Sequence, residues 1–225
     1  MSLCTAVVVA AGRGERLGAA ENKVFLEIAG QPVLLHAVRA LDTCPRIGEL
    51  IIVVGEGEVD RTRAILGNAS IGGRVVVGGA TRRDSVLAGL REARGTLVLI
   101  HDGARPFPSQ ALIERVLEGT AHHGACVPVL PSIDTLRRVD EKGFLAGPPL
   151  DRSCIARMQT PQGFRTREIL NAVEAGEGGI PDDATALMTS GGSVFTVPGE
   201  ETNLKITVPA DLEFARAIAL SPTTA

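Results

Sequence analysis

The chain has 225 residues, 44% of them hydrophobic, and a formal net charge of −3. That length supports one large domain, or one domain with an appendage, and the charge offers no global basic field for nucleic acid. Trp and Tyr are absent, so base-stacking platforms are disfavoured as well, and no apolar run approaches a membrane span.

The first element predicted is a short buried strand over residues 7–10, Val-Val-Val-Ala, which breaks into Ala11-Gly12-Arg13-Gly14-Glu15-Arg16-Leu17-Gly18. Glycines there let backbone approach a ligand, successive N–H groups form an anion nest, and Arg16 and Lys23 add positive charge. A polyphosphate suits that chemistry, and so does the plainer reading of a flexible strand-to-helix turn with solvated charges. The dinucleotide fingerprint fits less well because Leu17 holds the third glycine's place. A Walker loop is missing its Gly-Lys-Ser or Gly-Lys-Thr ending.

Strands and helices then alternate. A helix is predicted over 31–41 with Pro32 near its start, a strand over 50–54, a polar helix over 58–66, a strand over 75–77, a helix over 82–94 capped by Thr81, and a strand over 97–100. This rhythm predicts a mainly parallel sheet with helices on both faces, whose ligands sit at the carboxyl ends of the strands. Two further candidate loops fall at such ends. Gly78-Gly79-Ala80-Thr81-Arg82 leads to Ser85, and His101-Asp102-Gly103-Ala104-Arg105 places an acid and a guanidinium together. Taken alone, the first equally suits a glycine turn with a helix cap, and the second a local ion pair.

Beyond residue 124 the rhythm changes. Residues 125–130 read as a strand in which Pro128 marks an edge or bulge. The segment 132–152 reads as a projecting β-hairpin, with 135–139 and 144–145 flanking the turn Asp140-Glu141-Lys142-Gly143, and equally well as a plain solvent-exposed loop. Residues 160–164 are turn-like, 166–173 helical, and Pro181-Asp182-Asp183 opens another helix, where both acids suit a capping role. Pro209 lies in the first turn of a last helix. His122-His123 has no third ligand at a recognisable spacing, and His36 reads as a packed or capping side chain. The cysteines, Cys4, Cys44, Cys126 and Cys154, are scattered, and residues 1–5 have no basic leader-like start. Reduced thiols and a cytoplasmic location are therefore expected.

AAGRGERLG, ENKVFL, GGATRRDSV, HDGARP, DTLRR, TPQGF, PDDATAL and NLKIT occur in this order, reaching to Asp211. Each is weak alone; as an ordered set they resemble the 2-C-methyl-D-erythritol 4-phosphate cytidylyltransferase family of the non-mevalonate isoprenoid pathway. The resemblance implies a single domain over 1–225 with a Rossmann-like nucleotide-diphospho-sugar transferase α/β fold, and a hairpin arm that embraces a partner in a homodimer. It implies CTP and a small sugar-alcohol phosphate as substrates, with Mg²⁺ bridging CTP phosphates and no protein metal ligand identified. Arg16 and Lys23 would stabilise the transition state. Ala10, Ala11, Gly12, Gly14, Gly79, Ala80, Arg82, Ser85 and Gly103 would surround the nucleotide, and Asp102, Arg105, Thr135, Arg152 and Lys205 the acceptor. Arg152 would act in the neighbouring subunit's site. Two departures stand out: Pro181 replaces the first residue of the usual Thr-Asp-Glu, and Asn22 precedes Lys23 where Pro is commoner. Ribitol 5-phosphate as acceptor and a nucleotide-binding regulatory protein without turnover are the alternatives; an NAD-dependent oxidoreductase is disfavoured by the displaced glycine.

Overall fold

The computed structural model describes residues 4–12, 22–176 and 182–221. Strand β1 (Cys4–Val9) begins three residues before the valine run. The short strands β2 (Glu27–Ile28) and β3 (Gln31–Pro32) pair antiparallel around Ala29 and Gly30, both at positive φ. That pairing takes Gln31 and Pro32 out of the expected helix, so α1 runs Val33–Asp42. Then follow β4 (Ile47–Val54), α2 (Val59–Asn68), β5 (Arg74–Val77), α3 (Arg82–Glu92), β6 (Leu97–Asp102) and α4 (Gln110–His123). Strand β7 (Ala125–Pro131) leads to a separate hairpin, β8 (Arg138–Val139) with β9 (Leu145–Ala146). The chain continues through β10 (Ala156–Met158), β11 (Gln162–Arg165), α5 (Thr166–Ala175), α6 (Asp183–Thr189), β12 (Phe195–Pro198) and α7 (Pro209–Leu220).

The main sheet has the order β10-β7-β11-β6-β1-β4-β5, with β12 also on β7. Pairs β1–β4, β1–β6, β4–β5 and β7–β12 are parallel; β11 runs antiparallel to both β6 and β7, and β10 antiparallel to β7. The sheet is therefore mixed, with the half from β6 to β5 wholly parallel. Alternation along the central strands explains the two covered faces. Val8, Ile52, Val54 and Leu99 pack with α1 and α4 on one side, whereas Val7, Ile51, Val53 and Ile100 pack with α3, α5 and α6 on the other.

Residues 160–164, expected as a turn, contain a correction. Pro161 follows a cis bond, but Gln162 onward forms β11 inside the sheet. Its composition hides it, because Gly163 is required by packing rather than by a turn. A Cβ at Gly163 would lie 2.0 Å from Thr120 Oγ1 on α4. Pro128 sits where the ladder to β7 breaks between β11 and β10, so its missing N–H removes no pairing on that side; Gln159 N–H donates instead to its carbonyl. His36 donates through Nε2 to the Ile28 carbonyl at 2.8 Å and packs edge-on against Phe107. His123 stacks on Phe195 with ring centroids 3.9 Å apart. Both histidine sites are thus packing arrangements. Among the described residues no group of three His, Cys, Asp or Glu is placed to hold a metal.

Candidate active site

A cleft of about 620 Å³ opens at the carboxyl ends of β1, β5 and β6, where a parallel sheet exposes its loops. Ala10, Ala11 and Gly12 leave β1 along one wall, with Lys23 beside them. Gly14 and Arg16 lie outside the described residues. The β1 exit is fixed by Ala10 N–H, which donates to Val53 O at 2.7 Å, and by Gly103 N–H, which donates to Val9 O at 2.9 Å. Gly103 is not on the lining. A side chain there would meet Ala10 Cβ at 3.0 Å and Leu34 Cδ1 at 3.3 Å, so its glycine lets the β6 exit press against the β1 exit.

Another wall is the loop before α3, with Gly79, Ala80 and Thr81, and the first turn of that helix, with Arg82 and Ser85. Thr81 and Asp84 form a reciprocal capping box: Asp84 N–H donates to Thr81 Oγ1, and Thr81 N–H to the Asp84 carboxylate, both at 3.1 Å. Ser85 Oγ accepts from Gly79 N–H at 3.2 Å and donates to Thr81 O at 3.0 Å, which tightens the turn. Gly79 is dictated by this cap, since a Cβ would stand 2.3 Å from Asp84 Cβ.

At the floor, Asp102 joins three cations. Lys205 Nζ lies 2.7 Å from its Oδ2, Arg82 Nη2 3.6 Å from its Oδ1, and Arg105 Nε 4.0 Å from Oδ2. Burial would raise the Asp102 carboxyl; Lys205, then Arg82 and Arg105, outweigh it and hold the group well below the usual carboxylate range. Arg82 in turn makes a bidentate pair with Asp183, at 3.0 and 2.8 Å. Burial opposes the Arg82 charge, but Asp183 more than compensates, so the guanidinium is held protonated. Asp183, almost wholly buried, is pushed up by that burial against the pull of Arg82. The ordinary capping role falls to Asp182 alone, which accepts from Thr185 N–H at 2.8 Å. Two consecutive acids at a helix start are one more than a cap uses, and that surplus is the sequence signal for Asp183. Pro181 lies outside the described residues.

Arg105 stands behind Asp102 rather than on the lining, donating to Asn203 O at 2.7 Å. The turn that carries it is closed by His101, whose Nε2–H donates to Arg105 O at 2.9 Å while Nδ1 faces the Thr160 hydroxyl at 3.1 Å. Burial pushes His101 down to about 4, so its imidazole is neutral. Thr135 and Arg152 are not brought to the cleft within the chain. Arg152 is exposed on the segment after the hairpin and donates to Ile133 O at 2.8 Å. The cleft thus joins a backbone-lined entrance to a floor of three cations around one carboxylate, an arrangement suited to a polyphosphate and a second anionic substrate.

The model of the family described as IspD, 2-C-methyl-D-erythritol 4-phosphate cytidylyltransferase, matches residues 4–221. A bifunctional IspD/IspF enzyme of Maricaulis maris is 40% identical over 222 residues, covering 97% of this chain. A 2-C-methyl-D-erythritol 4-phosphate cytidylyltransferase of Clostridium botulinum is 36% identical over 216 residues, covering 93% of this chain and 96% of its own length. Among solved structures, 4-diphosphocytidyl-2C-methyl-D-erythritol synthase of Anaerococcus prevotii superposes with a TM-score of 0.86 at 29% identity, over 98% of this chain and 97% of that one. The cytidylyltransferase of Thermus thermophilus gives 0.79 at 33% identity, over 97% and 99%. The chain spans 57% of the length of the Maricaulis maris relative.

Proposed function

Because the chain belongs to the 2-C-methyl-D-erythritol 4-phosphate cytidylyltransferase family, we propose that it converts CTP and 2-C-methyl-D-erythritol 4-phosphate to 4-diphosphocytidyl-2-C-methyl-D-erythritol and pyrophosphate. The observation that carries this reading is the cleft itself, with Lys23, Arg82 and Lys205 on a lining whose single carboxylate among the described residues is Asp102. An acceptor phosphate oxygen forms a bond to the α-phosphorus of CTP as the bond from that phosphorus to the β-phosphate oxygen breaks. An ionised phosphate is already a nucleophile and needs no general base. The site's work is alignment of two anions and stabilisation of charge rearranging at phosphorus.

Lys23, with Arg16 from the neighbouring segment, is assigned to the reacting phosphates, and Lys205 with Asp102 to the acceptor. Arg105 braces that floor. Thr135 and Arg152 are assigned to the second subunit's acceptor site in a homodimer. Supporting this is the hairpin, which pairs only with itself among the described strands and exposes Ile133, Val139, Phe144 and Leu145 at 70, 60, 68 and 64%. A two-stranded ribbon with such a surface needs a neighbour to cover it.

Mg²⁺ is proposed to travel with the triphosphate. Among the described residues Asp102 is the one lining carboxylate available to it, and its charge is already matched by Lys205 and Arg82, a donor set that fits an ion held mainly by phosphate oxygens and water. When bound, the ion would neutralise charge on the triphosphate. No helix among the described residues is long and apolar enough to cross a membrane, and a cytoplasmic location forms part of the proposal. The test is pyrophosphate release from purified protein with Mg²⁺, across CTP, UTP and ATP and across methylerythritol and ribitol phosphates. CTP with methylerythritol phosphate should dominate; turnover with ribitol phosphate alone would overturn the acceptor assignment.

A further inference from the structure

A buried amide side chain must place two N–H groups and one oxygen, and where it places them shows what it holds together. Asn22 is 8% exposed and immediately precedes Lys23. Its Nδ2 donates to Ala10 O at 2.8 Å and to the two carboxylate oxygens of Glu58 at 3.0 and 3.2 Å; its Oδ1 accepts from Val24 N–H at 3.4 Å. Glu58 also accepts from Gly55 N–H at 2.9 Å, just past the end of β4. One side chain therefore ties the exit of β1, the exit of β4 and the turn that carries Lys23. Val24 and Phe25, each 3% exposed, fasten that turn from behind by burial in the core of α1.

We infer that Asn22, held by Glu58, is a positioning residue for the nucleotide. It keeps the peptide groups of Ala10, Ala11 and Gly12 at a fixed separation from Lys23, so that backbone and ammonium meet one triphosphate together. Asn22 touches no reacting atom in this scheme; it acts through Ala10 and Lys23. The acceptor floor of Asp102 and Lys205 makes none of these hydrogen bonds, so the effect should fall on one substrate only.

This inference rests on the nucleotide reading of the cleft, and the experiment separates the two. CTP binding in Mg²⁺ is measured by calorimetry for the full chain and for Asn22→Ala, Asn22→Asp and Glu58→Gln, beside steady-state KM values for CTP and 2-C-methyl-D-erythritol 4-phosphate. Asn22→Ala should weaken CTP binding and raise its KM by roughly tenfold, the scale of a lost hydrogen bond to a charged group, and leave the acceptor KM within about twofold. Asn22→Asp should be worse, because two carboxylates then face each other. Adding Glu58→Gln to it should recover part of the loss, since the new amide can donate to the introduced carboxylate while its oxygen still accepts from Gly55. Glu58→Gln alone, the mildest change, should weaken CTP binding less than Asn22→Ala. Unchanged CTP affinity in every variant, or equal weakening of both substrates, would overturn the positioning role. A wild-type chain that binds no nucleoside triphosphate would overturn the nucleotide reading itself, and the inference with it.

Discussion

Arg82 and Asp183, 101 residues apart, are joined by two hydrogen bonds of 3.0 and 2.8 Å, so the cleft wall on α3 is locked to the start of α6. Arg82 also stands 3.6 Å from Asp102, which places it between the carboxylate on the cleft lining and one buried inside the protein. The pair thus links the two halves of the site through one guanidinium.

Asp183→Ala should therefore disturb both stability and nucleotide binding. Removing Asp183 takes the bidentate partner from Arg82 and leaves it only the longer contact to Asp102; because the Arg82 side chain is also 34% exposed, the cost should be about 1–3 kcal/mol rather than the larger value of a fully enclosed pair. Asp183→Asn, which keeps one acceptor, should lose less. Urea unfolding and CTP calorimetry on both variants check this; wild-type values for Asp183→Ala in both would show that the pair is incidental.

The glycines of the two entrance loops should separate cleanly. A Cβ added at Gly12 would meet nothing within 4 Å among the described residues, so Gly12→Ala should leave folding stability within about 0.5 kcal/mol of wild type. Gly79→Ala would press against Asp84 and break the Thr81 cap, at about 1–3 kcal/mol. Thermal unfolding of the two variants is the measurement, and equal melting temperatures would contradict the packing explanation.

How far such features are legible in the chain depends on their range. The alternation of apolar strands and amphipathic helices up to residue 102 is a local pattern, and the loops at strand ends follow from it. Gly79 is visible as a glycine, but its cause is not, because contact with Asp84 is a property of the folded turn. β11 escapes a local reading since Gln162 and Gly163 carry no strand preference and are placed by β6, β7 and α4. Asp183 and Asn22 are obscured in the same way. An acid at a helix start and an asparagine in a turn both have routine local uses, and the partners that redirect them, Arg82 and Glu58, are distant in the chain.

His101 supplies a pH prediction. Its folded value, near 4, is depressed below the ordinary histidine value of about 6.5, so the neutral ring contributes full stability above that ordinary value. As pH falls from about 6.5 to 4, the unfolded chain takes up a proton that the folded chain refuses, and stability is lost, by up to about 3 kcal/mol. His101→Gln, whose amide can still donate to Arg105 O and accept from Thr160, should flatten this slope. Parallel pH profiles for variant and wild type over that window would assign the acid sensitivity elsewhere.

Arg152 tests the shared site. If it completes the neighbouring subunit's acceptor pocket, Arg152→Ala and Lys23→Ala should each be inactive as homodimers, and their verified heterodimers should recover activity through one intact site. No recovery despite demonstrated subunit exchange would place Arg152 outside the shared site.

The most direct test of nucleotidyl transfer follows the α-phosphorus. With CTP labelled at that atom, 2-C-methyl-D-erythritol 4-phosphate and Mg²⁺, all transferred label should appear in a cytidine diphosphate ester of the acceptor, with one unlabelled pyrophosphate released per product. Label released as free CMP, or transfer of the γ-phosphate to the acceptor, would contradict nucleotidyl transfer at this site.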